Sequence, residues 1–300
     1  MYVVTGATGH TGNIVAKTLL ARGAKVRVIG RSADRLQALV AKGADSFVTD
    51  LTDVSNLAKG FEGAKAAYVM LPPNLTAPDY RAFQDRVTDT IAAALRSAGI
   101  SHVVTLSSIG ADKPERTGPV LGLRYLEQQL NHINDLHVLH LRAGYFMENT
   151  LAQVGIIQKA GMSLGPLRPD LKVSMIATED VGVEAAEALL RLDFHQKTTR
   201  ELQGQRDISM NEVAEIIGKL IGKPGLRYTQ APDDQVQTAL IQLGMSSSIA
   251  RLLIEMSAAL NSGYMRALEP RSAQNTTPTS FETFAAEKFK PLFEGKSAAA

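Results

Sequence analysis

The 300-residue sequence contains no cysteine, which excludes disulfides, thiolate metal sites, a cysteine nucleophile and a thiol redox switch within the chain. The compartment stays open on that criterion. Net charge is scarce as well: 32 basic against 30 acidic side chains leave +2. That balance speaks against nucleic acid or a membrane surface as partner, so partners must be sought in sites and not in a global field. No apolar stretch approaches the ~20 residues that a membrane span requires, and there is no internal repeat or low-complexity tract. Met1 to Val4 already read as a buried strand, which leaves no room for a charged and apolar leader, and the expectation is a cytoplasmic protein. What is present is ordinary: 45% hydrophobic residues in a length suited to about two structural units at ~100–200 residues per domain.

From Met1 to about Arg142, short β-branched runs alternate with helical patterns, the signature of a parallel sheet covered on both faces. The strands expected are Tyr2 to Thr5, Lys25 to Gly30, Ser46 to Val48, Ala66 to Leu71, His102 to Leu106 and Leu136 to Leu141. Helices are expected to begin near Gly9, Ala33, Asp53, Asp79 and Val120, each long enough for a right-handed crossover. The pattern predicts an α/β fold with six parallel strands in a doubly wound, Rossmann order. Residues 1–150 read as the dinucleotide-binding domain, to which 176–204 returns. Residues 151–175 and 205–300 read as a smaller, mostly helical substrate domain that roofs the cofactor site.

Within that second unit, Gly161, Gly165, Pro166 and Pro169 mark a loop, and Ile176 to Leu190 reads as a strand end followed by an amphipathic helix. Further helices are expected at Asn211 to Ile221, around Val236 to Leu260, and after Thr279. The longest is apolar on more than one side, so it packs either within its own chain or across a homodimer. Glu294 to Ala300 is expected to fray.

Thr5-Gly6-Ala7-Thr8-Gly9-His10-Thr11-Gly12 lies between a strand and a helix, the context that gives Gly-x-x-Gly-x-x-Gly its meaning. Gly6 makes the tight turn, Gly9 lets the backbone approach a pyrophosphate, and Gly12 allows close helix packing. The free N–H groups of residues 8 to 12, helped by the helix dipole, then face an anion. The competing reading is a glycine turn that serves plain strand-to-helix packing. His10 reads as a residue at the solvent edge of this turn.

The second strand ends at Gly30-Arg31-Ser32, where an NAD-specific site would present a carboxylate to the adenosine ribose. A guanidinium here can hold a 2′-phosphate by two parallel hydrogen bonds and Ser32 can add a hydroxyl, which points to NADP(H). Arg31 as a merely solvated charge is the alternative. Asp50 and Leu51 close the third strand, where they can hold and cover the adenine or simply form a turn. Leu71-Pro72-Pro73 ends the fourth strand beside the expected switch point, where it offers a stiff wall to the nicotinamide ribose or forms a turn with no ligand.

Together with Thr105-Leu106-Ser107-Ser108 and the run Leu141-Arg142-Ala143-Gly144-Tyr145-Phe146-Met147-Glu148-Asn149, these motifs resemble the NmrA-like family of atypical short-chain dehydrogenases over essentially the whole chain. The resemblance implies NADP(H) binding, with Arg31 on the 2′-phosphate and the loops around Leu71, Ser107 and Tyr145 lining the nicotinamide. It implies either an NADPH-dependent reductase of quinones or other small molecules, or a regulator that binds NADP(H) without turnover.

One departure limits the catalytic reading. Catalytic short-chain dehydrogenases use Tyr-x-x-x-Lys, in which lysine lowers the tyrosine pKa. Here Tyr125 is followed four residues on by Gln129, and a register on Glu127 puts Pro119 and Leu123 in the two slots. Tyr125 and Ser107 remain the catalytic candidates, one also readable as a packing aromatic and the other as a turn former. Hydride transfer itself needs no protein acid, because the cofactor carries the chemistry. Quinones suit such a site, since their reduced oxygens are stabilised by aromaticity and take protons from water.

Tyr145, Phe146, Met147 and Asn149 read as a flat substrate wall with one amide, or as ordinary core. His137 and His140, three apart on a strand, point to opposite faces, so no metal is expected. Gly161-Met162-Ser163-Leu164-Gly165 lies in a loop and not on a strand-to-helix elbow, which removes it as a serine nucleophile motif.

Overall fold

In a computed structural model, which describes residues 1–296, the first half of the chain alternates as the pattern predicts. The elements are β1 (Tyr2–Val4), α1 (His10–Ala21), β2 (Val26–Gly30), α2 (Ala33–Val40), β3 (Asp45–Val48), α3 (Val54–Phe61), β4 (Ala66–Val69), α4 (Tyr80–Ala98), β5 (His102–Ser108), α5 (Val120–Asn131) and β6 (His137–Ala143). β1 and β4 are buried at every residue, because helices cover both faces of the sheet and leave no side for polar side chains.

The second half begins with β7 (Tyr145–Phe146), a 3₁₀ turn (Met147–Ala152), α6 (Gln153–Ala160), β8 (Ser163–Gly165), β9 (Val173–Ile176), α7 (Thr178–Arg191) and β10 (Lys197–Leu202). It continues with β11 (Asp207–Ile208), α8 (Met210–Leu220), β12 (Tyr228–Gln230), α9 (Asp233–Gln242), α10 (Ser247–Asn261), α11 (Phe281–Phe284), a π turn (Ala285–Phe289) and α12 (Lys290–Phe293).

The central sheet has seven strands in the order β10-β6-β5-β4-β1-β2-β3, all parallel. From β1 the chain runs outward through β2 and β3, then crosses back to β4 on the other side. The switch point therefore lies between β1 and β4, and the crevice opens at their carboxyl ends. One face is covered by α1, α2 and α7 through Val15, Leu19, Leu36, Ala185 and Leu189. The other is covered by α3, α4 and α5 through Leu57, Phe61, Ile91, Leu95 and Leu126.

The seventh strand corrects the expectation of six. Lys197–Leu202 pairs in parallel with β6 at the sheet edge. Its sequence, Lys-Thr-Thr-Arg-Glu-Leu, leaves Lys197 and Thr199 exposed, so it lacks the continuous apolar run that marks a central strand.

A second correction concerns the helix expected around Val236 to Leu260. The chain breaks it at Gly244, where φ is 93°, and Ser246 restarts α10 by accepting the Ile249 N–H at 3.3 Å. The two apolar sides of α10 are used within the chain: Ile249 and Leu252 pack with Ala77 and Tyr80, and Ala259 packs with Ala111, Val120 and Met265. A third cluster joins Met147, Ile157, Met175, Ile217, Tyr228 and Phe289. α8 enters this cluster through a capping box, with Ser209 accepting the Glu212 N–H and the Glu212 carboxylate accepting the Ser209 N–H. Of the terminal segment expected to fray, residues 297–300 lie outside the described residues. No described helix is long and apolar enough to cross a membrane.

Candidate active site

The glycine turn is packed tightly at Gly6 and Gly12. Gly6 has φ +62°, and a Cβ there would lie 2.7 Å from Met70 Sδ. A Cβ on Gly12 would come within 2.3 Å of the Gly6 carbonyl oxygen, so α1 starts almost on top of the turn. Gly9 is the N-cap of α1, extended and without a capping side chain, and no acidic residue occupies the first turn. The N–H groups of His10, Thr11 and Gly12 thus have no intrahelical partner, and they converge where the helix dipole favours an anion. Thr11 is held from behind, accepting the Tyr68 hydroxyl at 2.8 Å.

Farther along the sheet edge, Arg31 is exposed beyond the end of β2, and no carboxylate among the described residues pairs with it. Ser32 caps α2 by position only, its side chain making no capping hydrogen bond. Asp50 works as a turn former: one carboxylate oxygen accepts the Thr52 N–H at 2.8 Å and the Thr52 hydroxyl at 2.7 Å. Leu51 is buried in the core beside α3.

A cavity of about 760 Å³ opens at the carboxyl ends of the central strands. Gly9, His10, Thr11, Leu71, Pro73, Ser107, Tyr145, Phe146 and Asn149 all line it. The far wall comes from α10 through Ile249, Leu253 and Met256. Sequence reasoning did not find these three residues; the one available signal was the apolar surplus of that helix. Gly6, Thr8 and Gly12 shape the turn without lining the cavity, and Pro72 does not line it either.

Arg31, Ser32, Asp50 and Leu51 do not line the cavity, and Met147 and Tyr125 lie away from it as well. Met147 is buried in the third core cluster, because the 3₁₀ turn that follows β7 rotates it inward, so it is not part of the wall. Tyr125 sits on the outer side of α5, donating to Asp89 at 2.9 Å with the Arg81 guanidinium 5.4 Å from its ring centre. The hydrogen bond to Asp89 pushes the Tyr125 phenol above its ordinary pKa. It cannot serve as a base in a cavity it does not line.

Ser107 does line the cavity, but its proton is committed. Its hydroxyl donates to Glu127 at 2.5 Å, and Arg142 grips both oxygens of the same carboxylate at 2.9 and 2.6 Å. This buried fork leaves Ser107 with lone pairs, not a proton, for a bound molecule. The sequence signal for it was Arg142 in the Leu-Arg run, readable only once α5 is known to cross β5 and β6. Tyr145 differs: burial raises its pKa, against a smaller opposing effect from the Asn149 hydrogen bond. Its phenol therefore stays protonated at neutral pH and can donate.

The remaining motifs resolve simply. Ser163 lies in β8 and donates to Gln153 Oε1 at 2.9 Å, away from any nucleophile elbow. His140 is buried between Thr105 and Asn131 at 2.9 and 3.0 Å. The fold instead gathers His102, His137 and His195, one ring nitrogen of each lying within 4.8 Å of the others.

The NmrA-like family model matches residues 2–285. The chain belongs to the NmrA-like family. It is 27% identical over 267 residues to the NAD(P)H azoreductase of Xenophilus azovorans, covering 88% of this chain and 89% of that one. Among solved structures, it superposes on the NADPH-dependent quinone oxidoreductase of Escherichia coli complexed with NADPH with a TM-score of 0.81 and 22% identity, covering 98% and 100% of the two chains. The NADP(H) complex of Citrobacter sp. triphenylmethane reductase gives a TM-score of 0.78 at 18% identity, covering 96% and 100%.

Proposed function

We propose that this chain binds NADP(H) and acts as an NADPH-dependent oxidoreductase whose acceptor is a quinone or a similarly flat small electrophile. The observation that carries the reading is continuity. One cavity runs from the uncapped start of α1, past Ser107 and Tyr145, to the apolar Phe146, Leu253 and Met256. The glycine cradle, closed to a Cβ at Gly12 and open to an anion, fits a pyrophosphate. Arg31 and Ser32 would hold the 2′-phosphate, Asp50 and Leu51 would flank the adenosine, and Leu71, Pro73 and Tyr145 would border the nicotinamide.

Bound there, the cofactor supplies a hydride. The protein supplies orientation, an apolar space that excludes water, and one protonated phenol at Tyr145 to steady a developing oxyanion. Ser107 would have to surrender Glu127 before donating, so alkoxide-forming carbonyl reductions are disfavoured relative to quinones. The named activities of the relatives, on azo, quinone and triphenylmethane compounds, support a small conjugated acceptor. The smaller unit, residues 151–175 and 205–296, serves as the roof on the acceptor side through α10.

Steady-state NADPH oxidation across a panel of quinones and aldehydes tests the reading. Quinones should turn over and aldehydes should lag far behind, whereas no turnover above background with any acceptor removes it. A second reading, a non-catalytic NADP(H) redox sensor, is favoured by one observation: Tyr125 lies outside the cavity and Gln129 stands where a lysine would be. It requires different affinities for NADP⁺ and NADPH, and equal affinities in titration would count against it.

A further inference from the structure

We propose that His102, His137 and His195 form a binding site for a borderline transition-metal dication of the Zn²⁺ class, at the end of the sheet opposite the glycine turn. Because the sheet is parallel, the starts of its strands share one edge. His102 opens β5 and His137 opens β6, and the two residues are register partners. His195 comes two residues before β10, whose first residue pairs with Val138. The ring centres of His102 and His137 are 4.7 Å apart, and those of His137 and His195 are 5.7 Å apart.

The donor set is chemically selective. Three imidazoles with no carboxylate among them suit Zn²⁺, Cu²⁺ or Ni²⁺ and not the oxygen-seeking Mg²⁺ or Ca²⁺. The surroundings orient the rings as ligands need. Ser101 spends its own proton on the Lys65 carbonyl at 3.3 Å, so it accepts from His102 Nδ1 at 3.0 Å. That bond leaves the His102 Nε2 lone pair free, the outer-sphere arrangement typical of metal-bound histidine. The Phe194 ring meets His102 edge-on at 5.4 Å and forms an apolar back wall.

His137 carries the one cost. Gln196 donates its backbone N–H to His137 Nδ1 at 2.8 Å, which places the proton on Nε2. Coordination through Nε2 must shift that proton to Nδ1 and release Gln196, a residue in the left-handed region at φ 58°. One neutral hydrogen bond is a small loss against metal–nitrogen bonds. The site lies some ~17 Å from Ser107 along β5, at the usual rise per strand residue, so the metal would not touch the cavity. It would clasp the edge strand β10 to β6.

The test is calorimetric titration of the full, tag-free chain with ZnCl₂, together with thermal melts and the visible spectrum after Co²⁺ addition. The proposal expects one ion per chain, a raised melting temperature, and Co²⁺ ligand-field bands. His195→Ala, an exposed change that should leave the apo melting temperature unaltered, should weaken Zn²⁺ by at least 10-fold and abolish the Co²⁺ bands. His10→Ala should do neither. Absence of Zn²⁺ binding, or wild-type binding by His195→Ala, overturns the site. NADPH titration of the same His195→Ala sample should match wild type, so failure here is distinct from failure of the cofactor reading.

Discussion

The two ends of the cavity are specified in different currencies. At the α1 end, backbone geometry decides: a left-handed glycine, a second glycine against a carbonyl oxygen, and N–H groups without partners. At the α10 end, side chains from distant parts of the chain decide, Phe146 on one wall and Leu253 and Met256 on the other. The first arrangement tolerates almost no substitution and has one kind of ligand. The second can be re-lined without harming the fold, which makes cofactor choice the sharper of the two readings and acceptor choice the softer.

The contrast breaks most visibly at Gly12. Gly12→Ala puts a Cβ 2.3 Å from a backbone oxygen that cannot swing away. NADPH affinity should fall by about 100-fold or more, the scale of losing hydrogen bonds to a charged group at about 1.5–3 kcal/mol, while circular dichroism shows a retained fold. By comparison, Met256→Leu at the other end should leave NADPH affinity within about 2-fold and alter only the order of preferred acceptors. An equal loss of NADPH affinity in both variants would erase the distinction.

Beneath both ends runs the β5–β6 scaffold, and pH probes it. Burial lowers the pKa of His140 to about 4, a shift that Arg142 and Lys197 reinforce and Glu127 opposes. The folded chain keeps this ring neutral while the unfolded chain protonates it near ~6.5. The unfolded state therefore gains the proton first. Stability should decline as pH falls from about 6.5 toward about 4, by up to about 3 kcal/mol from this group, and level off below. Urea unfolding across that window should show a shallower slope in His140→Asn, and an unchanged slope would contradict the assignment.

At the adenosine end, Arg31→Asp should weaken NADPH by about 10- to 100-fold and NADH by less than about 3-fold; equal losses would reduce Arg31 to a solvated charge. The smallest effect belongs to Tyr125→Phe. A phenol bonded to Asp89 outside the cavity should change kcat with a quinone by less than about 2-fold, and a loss of about 100-fold or more would return Tyr125 to the chemistry.

These differences also explain what the sequence made legible. The five interior strands and the α1 turn were readable because a two-sided parallel sheet writes continuous apolar, β-branched runs and the turn writes glycines at fixed spacing. β10 escaped because an edge strand keeps Lys197 and Thr199 in water. The break at Gly244 was overlooked because flanking apolar residues preserve the helical period on both sides. Ser107, Glu127 and Arg142 meet only after α5 crosses the sheet, and His102, His137 and His195 meet only because parallel strands start on one edge. Contacts of that kind depend on topology, which local periodicity does not encode.

The most direct test of the central claim is isothermal titration of the purified chain with NADPH and NADH at low salt. Saturable binding of one NADPH per chain, at least 10-fold tighter than NADH, is the predicted result. No measurable heat with either dinucleotide, confirmed by unchanged melting temperature in their presence, would contradict it.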